Sequence, residues 1–417
     1  MRFQNGAVAT KRRNVHLANV VIVGAGPAGA SLAYLLARRG IEVTLLEREQ
    51  GFSREFRGEV LMPSGLEALE QMGLQDAMEG VPSQEQGSVS LYMNGSLIFD
   101  QALYGKRFER HLPRAVSQPK LLEMLVSEAA KNQGFRMEQG ASVKGLIEED
   151  GRVVGVRART RQGEERIRAD LVVGADGRAS IVRKKGGFRV KHSSPPLDVI
   201  WLKLPCPTNW TGGRLYMGRG HFLLGYRTWD GFLQLAWIIV KGAFHQLKEE
   251  GVDQWIDEMK THVSPDLASH LEAERGSIHK PFLLDAVSDC VESWSVPGAL
   301  LLGDAAHTMS PVGAQGINLA LRDVIVAANH LVPALERGDP ELLGSAFLEI
   351  ERERMREIRT VQRFQELPPR VGFSHAWWGE AARFTAAQLA RFAPVRLIAG
   401  KRLAIFPFGV TEVDLRV

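Results

Sequence analysis

The stretch from Asn19 to Glu49, "NVVIVGAGPAGASLAYLLARRGIEVTLLERE", decides the fold. An apolar strand runs into Gly24, Gly26 and Gly29, an apolar helical segment follows, and a second strand closes on Glu47. Strand, glycine turn and helix in that order make a βαβ unit. Gly24 permits the tight turn, Gly26 lets a pyrophosphate approach the backbone, and Gly29 lets helix and strand pack closely. Pro27 and Ala28 open the helix, whose N-terminal N–H groups are offered to phosphates. Glu47 stands eighteen residues beyond Gly29, with Arg48 next to it. A carboxylate there accepts both ribose hydroxyls and repels a 2′-phosphate. The unit reads as a dinucleotide site for an unphosphorylated adenosine and does not by itself separate NAD from FAD.

Two further turns follow short apolar strands: "LVVGADGRASIVRKKGG", Leu171 to Gly187, and "GALLLGDAAHTMSPVGAQGINLALRD", Gly298 to Asp323. In the first, Asp176 and Gly177 end a buried strand, and Arg178, Ser180 and Arg183 begin a helix. Taken alone this is an Asp-Gly turn with a capped helix. In the second, four apolar residues give way to Gly303-Asp304, then His307, Pro311 and two glycines before helical periodicity resumes.

These motifs, GAGPAG with Glu47, GADG with Arg178, and GDAAH with Pro311 and Gly316, resemble those of the FAD-dependent monooxygenases of the para-hydroxybenzoate hydroxylase type, the class A flavoprotein hydroxylases. Their order and wide spacing match over roughly residues 19 to 335. The resemblance implies that Gly303 meets the ribityl-pyrophosphate link and Asp304 a ribityl hydroxyl. A helix near Gly316, Ile317 and Asn318 would point its N-terminal dipole at the flavin's pyrimidine edge. Pro311 and Gly313 would lie over the isoalloxazine, where a rigid ring and a missing Cβ leave room for oxygen chemistry. Arg57 in "FRGEVLMP" resembles an arginine near the flavin, Gln118 falls where an Arg or Gln contacts the cofactor, and Asp176 and Gly177 match the Asp-Gly pair. Glu59 stands where some members have glycine. Arg114 reads as a solvated charge. His307 reads either as a catalytic acid or, more simply, as a buried hydrogen-bonded residue. The implied reaction has NADPH or NADH docking transiently to pass a hydride to FAD, and O2 forming a flavin hydroperoxide that oxygenates the substrate.

The implied fold is α/β: a Rossmann-like FAD-binding domain of the glutathione-reductase type, an antiparallel β-sheet substrate domain and C-terminal helices. The expected boundaries are a loose extension at 1–18, a discontinuous FAD domain at 19–85, 112–190 and 285–340, the sheet domain at 86–111 and 191–284, and a helical region at 341–417. "SLYMNGSLIFD" alternates around Asn94-Gly95, a two-residue hairpin signal. Strand-rich segments between Leu197 and Val240 carry Trp201, Tyr216, Phe222, Leu224, Tyr226 and Trp237. These offer an aromatic substrate wall, with half of any alternating set facing elsewhere. Tyr216, Tyr226, His221 and Arg214 are unranked candidates for a substrate base. Helices are expected over Val252–Glu274 and Leu342–Gln365, and the tail "PVRLIAGKRLAIFPFGV" would pack as a C-terminal helix or touch a membrane surface.

At 417 residues, 45% hydrophobic and 24% charged with a net charge of +4, the chain is an ordinary globular one with no basic block implying nucleic acid. Cys206 and Cys290 lie far apart outside any CxxC, so neither a disulfide framework nor a metal site is expected. The opening residues lack the apolar run of a signal peptide, and a cytoplasmic monomer or homodimer is expected. The reading is a monooxygenase that hydroxylates or epoxidises a hydrophobic, aromatic or polyketide-like small molecule. Isoprenoid reductases and flavin halogenases share the shape, but their pair of spaced aromatics before a proline is unmet in "LQLAWIIVKG". A flavin-containing binding protein without turnover is the alternative of another class.

Overall fold

The computed structural model describes residues 18–53, 60–192, 197–218, 222–242, 251–278, 281–372 and 401–417, with a few single positions between them. Arg57, Glu59, His221 and nearly all of the leading extension lie outside the described residues.

A six-stranded sheet carries the cofactor half, in the order Ser295–Val296, Ala299–Leu301, Leu171–Gly174, Asn19–Val23, Glu42–Glu47, Phe135–Gln139. All pairs are parallel except the first. Val20, Val21, Ile22 and Leu171 to Val173 are fully buried, as expected of parallel strands covered on both faces. The glycine-loop helix, Pro27–Arg38, packs against helices Gln118–Ala130 and Gln315–Arg337. Its Ala and Leu positions join the main core.

A seven-stranded sheet forms the second layer: Phe282–Asp285, Leu197–Pro205, Phe232–Val240, Phe222–Arg227, Gly213–Met217, Ser88–Met93, Ser96–Ala102. The last two strands turn at Asn94-Gly95, both with positive φ (47° and 78°), as a primed two-residue turn requires. The sheet is mixed rather than wholly antiparallel, because that hairpin, arriving from a distant stretch, pairs in parallel with Gly213–Met217.

Period-2 alternation gives this sheet two apolar faces. The front face, toward the cofactor half, gathers Val199, Trp201, Phe222, Leu224, Tyr226, Ala236 and Ile238 with Val60, Ala115, Val312 and Ala314. The rear face gathers Ile200, Leu202, Tyr216, Leu235 and Trp237 against helices Val252–Lys260 and Pro265–Ala273. The helix expected across Val252–Glu274 is thus two, because Pro265 opens a new one. The long helix Pro340–Gly372 exceeds its expected span. In the described part of the tail, residues 401–403 are helical and lead into the short helix Ile405–Phe408, followed by a non-helical stretch to Val417 whose backbone meets Asn329 of helix Gln315–Arg337. Among the described residues no helix is long and apolar enough to cross a membrane.

Candidate active site

Three chain segments separated by some 150 and 280 positions meet at the C-terminal ends of the parallel strands. A Cβ added to Gly24 (φ +99°) would lie 2.5 Å from the Ala175 carbonyl oxygen, and one on Gly29 would lie 1.9 Å from that of Gly24. A Cβ on Gly303 would stand 3.1 Å from that of Ala28, and one on Gly316 would stand 3.8 Å from Asp304 Oδ1. Gly24 and Gly29 are where backbones touch, whereas Gly303 and Gly316 face side chains. Gly26 is different, since a Cβ there would meet nothing within 4 Å.

Gly26 is also the N-cap of helix Pro27–Arg38, with no side-chain cap and no acid in the first turn. That leaves a helix N-terminus facing open space with no acid in its own first turn, an arrangement suited to cradling a phosphate. Glu47 is buried at the end of its strand, where Oε2 accepts from Ala25 N at 2.9 Å and Oε1 from Glu49 N at 3.0 Å. The loop thereby fixes the carboxylate at the end of its strand, beside the glycine turn. Arg48 is exposed and paired with Glu49 at 2.9 Å, so its side chain serves that partner.

The Asp176 carboxylate caps the helix Ile181–Lys185, accepting from Ser180 Oγ, from Ile181 N at 2.6 Å and from Val182 N at 3.3 Å. Burial pushes its pKa up against those hydrogen bonds. Its side chain shapes the turn, which Gly177 (φ +75°) bends. Arg183 reaches Asp289 at 3.5 Å and the Ala305 carbonyl at 3.4 Å, binding the second motif to the third. Arg178 pairs with Asp304 at 3.4 Å, and both are about one-third exposed. Asp304 therefore keeps an accessible carboxylate at the mouth of the cradle.

The turn Pro311–Ala314 is held from several sides. Gly313 (φ +78°) and Ala314 (φ +53°) are both left-handed, the second an uncommon state for alanine. Gln365 Nε2 donates to the Ser310 and Val312 carbonyls at 2.9 and 2.7 Å. Gln315 Nε2 donates to the Gly313 carbonyl at 2.7 Å and to that of Phe406 at 2.8 Å. From this turn starts helix Gln315–Arg337, whose first turn contains Gly316, Ile317 and Asn318 and no acid. Asn318 is fully buried with its amide engaged. Its Oδ1 accepts from Met62 N at 2.9 Å, and its Nδ2 donates to Val60 O at 3.1 Å and Ala314 O at 2.6 Å. Its side chain anchors the strand Val60–Leu61, so only its backbone and that of Ile317 can face a cofactor. Gln118 opens its helix next to the strand Arg114–Val116, which pairs with Val60–Leu61 on the same side.

His307 is buried, 2.6 Å from Asp323 Oδ2 and with its ring 5.0 Å from that of Trp294. The structure thus gives His307 the buried, hydrogen-bonded position. Asp323 also accepts from Gly303 N at 3.3 Å and Arg354 Nε at 2.8 Å. Arg354 pairs with Glu357, which pairs with Arg322 at 3.1 Å. Burial works against ionisation of Asp323 and Glu357, but the cationic neighbours outweigh it and hold both carboxyls below their usual range. In the sequence the trace of this network is charge at helical spacing, which reads as a solvated face.

The rear face removes several candidates. Tyr216 and Trp237 were expected in the substrate wall, but alternation turns both away toward helices Val252–Lys260 and Pro265–Ala273. Tyr216 hydrogen-bonds Ser264 at 3.2 Å, and burial pushes its pKa up to about 12. Arg214 pairs with Asp266 at 2.7 Å and stacks 4.0 Å over the Trp210 ring. Neither faces the cofactor half. Phe222, Leu224 and Tyr226 stay on the front. Arg114 pairs with Glu85 at 2.9 Å, as a surface charge does. Both cysteines are free, and no cluster able to hold a metal occurs among the described residues.

The fold and site together define a class. Residues 17–364 match the FAD binding domain family, and the chain belongs to it. It is an FAD-dependent monooxygenase of the class A type, using NAD(P)H and O2. It is 33% identical over 390 residues to 6-methylpretetramide 4-monooxygenase of Streptomyces rimosus, covering 93% of this chain and 92% of that one. It is 27% identical to squalene epoxidase 3 of Arabidopsis thaliana across 78% of this chain, and spans 62% of that longer protein. Among solved structures, P. aeruginosa PqsL superposes with a TM-score of 0.74 at 21% identity, covering 91% of this chain and 99% of that one, a likeness of fold.

Proposed function

We propose that the protein oxygenates a hydrophobic polycyclic aromatic of polyketide type, on the front face of the seven-stranded sheet. One observation carries the reading: the front cluster gathers Trp201, Phe222, Leu224 and Tyr226, with the buried Gln234 beside Tyr226 as a polar group, and it meets the Pro311–Ala314 turn directly. The relative acting on 6-methylpretetramide supports the same substrate class.

The chemistry supplied by bound FAD is hydride acceptance from NAD(P)H and activation of O2. The chain's own residues bind, orient and exclude water. The open helix N-terminus at Gly26 and the Glu47 carboxylate hold the dinucleotide, and Asp304 presents a carboxylate to the ribityl chain. The first turn of helix Gln315–Arg337 places its positive dipole end toward the ring. The sheet front positions the substrate's planar body and keeps water from the reaction.

The test is anaerobic flavin bleaching by NADPH and by NADH, with and without polycyclic phenols, followed by product analysis in air. Bleaching sped by one such compound, with one oxygen atom incorporated, supports the reading; bleaching without any oxygenated product overturns it. A second reading, epoxidation of an isoprenoid alkene, draws on the squalene epoxidase relative and on a face that offers an alkene apolar contact. Squalene in the same panel decides between them.

The two faces of the sheet give a paired expectation. Leu224→Ala on the front should raise KM about tenfold, a loss of about 1.4 kcal/mol of binding, with flavin binding unchanged. Trp237→Ala on the rear should destabilise the fold by about 3 to 5 kcal/mol while kcat/KM per folded molecule stays within about twofold of the parent. Steady-state kinetics with thermal unfolding checks both, and the opposite pattern would assign the substrate to the rear face.

A further inference from the structure

The family match ends at residue 364, yet the tail beyond it reaches the centre of the site. Phe406 lies against the turn that faces the flavin. A Cβ placed on Gly313 would stand 2.4 Å from Phe406 Cδ1 and 2.8 Å from Cε1, so the ring edge rests on the Gly313 backbone itself. The Phe406 carbonyl accepts from Gln315 Nε2, the amide that also holds the Gly313 carbonyl, and Gln315 is fully buried. Ring and carbonyl thus grip one left-handed turn from one residue.

The tail is itself anchored. Beyond Phe406, the Phe408 ring packs on Phe108 at 4.7 Å and under the Arg107 guanidinium at 4.2 Å. Val410 N donates to Glu357 Oε1 at 2.6 Å. Gln71 brackets the chain through Val413 O at 3.0 Å and Leu415 N at 2.7 Å. Asn329 holds Asp414 O at 2.8 Å and Arg416 N at 2.7 Å. A segment fixed at so many points presents Phe406 rigidly.

We propose that Phe406 is a positioning residue for the Pro311–Ala314 turn, setting how closely that turn covers the flavin and thereby how well water and stray oxygen reactions are excluded. This rests on the monooxygenase reading. Two outcomes balance the same reductant. With productive shielding, NAD(P)H, a proton, O2 and substrate yield NAD(P)+, water and substrate carrying one oxygen atom. With the shield loosened, NAD(P)H, a proton and O2 yield NAD(P)+ and hydrogen peroxide. Removing the ring uncovers the Gly313 backbone and lets a turn strained at Ala314 relax.

The test compares holoenzymes of the parent, Phe406→Ala, Phe406→Leu and Phe408→Ala. The readouts are FAD affinity by titration of apoprotein, the visible circular dichroism of the bound flavin, and the rate at which photoreduced flavin returns electrons to O2 as peroxide without substrate. Phe406→Ala is expected to keep FAD affinity within about threefold, alter the flavin dichroism, and release peroxide about tenfold faster. Phe406→Leu restores most of the parent behaviour, and Phe408→Ala, anchored on the same tail away from the turn, matches the parent. Parent-like dichroism and peroxide rate in Phe406→Ala overturn the proposal, as does an equal change in Phe408→Ala, which would make the tail a general strap. A parent that binds no FAD would instead refute the flavoenzyme reading itself.

Discussion

Gly26→Ala should leave the apoprotein's unfolding temperature unchanged within about 1 °C and lower FAD affinity at least about 100-fold, whereas Gly29→Ala should cost about 3 kcal/mol or more and bind no FAD. The contrast follows from what a methyl group meets. At Gly26 the backbone is ordinary for an L-residue, with φ −75°, and a Cβ points into open space. The folded chain therefore tolerates it, and only a pyrophosphate drawn against that backbone is displaced. At Gly29 the methyl would sit 1.9 Å from the Gly24 carbonyl oxygen, and no backbone can remain there. Gly24→Ala adds a strained φ to a 2.5 Å clash and should resemble Gly29→Ala. Thermal unfolding of the apoproteins with flavin titration separates the two. FAD binding to Gly26→Ala at parent affinity would show that the loop does not cradle a phosphate, and a Gly29→Ala protein as stable as the parent would show that the backbones do not touch at Gly24 and Gly29.

That contrast also marks what the sequence could and could not reveal. Local chemistry was readable: glycines in a strand-turn-helix frame, a terminal acid at Glu47, a primed turn at Asn94-Gly95, and apolar runs long enough only for buried strands. Each depends on residues near one another in the chain. Which face a strand turns to the cofactor depends on register against partners far away. That is why Tyr216 and Trp237 read as wall yet lie behind it, while Leu224 and Tyr226 lie in front. Asp176 and Asn318 matched family positions by type, but their side chains serve the protein's own backbone, and no spacing rule announces that. Phe406 sits in a tail whose apolar and basic mixture has no period to read. Its contact with Gly313 spans more than 90 positions.

Asp323→Asn should destabilise the fold by about 3 to 5 kcal/mol at pH 7, about 5 °C in unfolding temperature for a chain of this length, and weaken FAD binding about tenfold. The carboxylate is fully buried between His307, Arg354 and the Gly303 N–H. An amide of the same shape leaves Arg354, itself fully buried, short of a counter-charge. The flavin effect travels through Gly303, whose N–H loses a charged acceptor just where the turn carries Asp304 to the cofactor. The pH dependence identifies the charge as the cause. The folded-state pKa of Asp323 is lowered, the His307 and Arg354 charges outweighing burial. Its stabilisation is therefore complete above the unfolded carboxyl value of about 4 and is lost as pH falls through the lower folded value. Glu357, lowered the same way by Arg354 and Arg322, loses its contribution in the same direction. The gap between parent and Asp323→Asn should thus be full from neutrality down to about pH 4 and narrow progressively below it, as the unfolded carboxyl protonates before the folded one. Denaturant unfolding of both apoproteins between pH 3 and pH 7 reads this directly. A gap that stays constant across that range would mean the loss comes from altered packing, and the buried charges of helices Gln315–Arg337 and Pro340–Gly372 would not be what fixes the Gly303 turn.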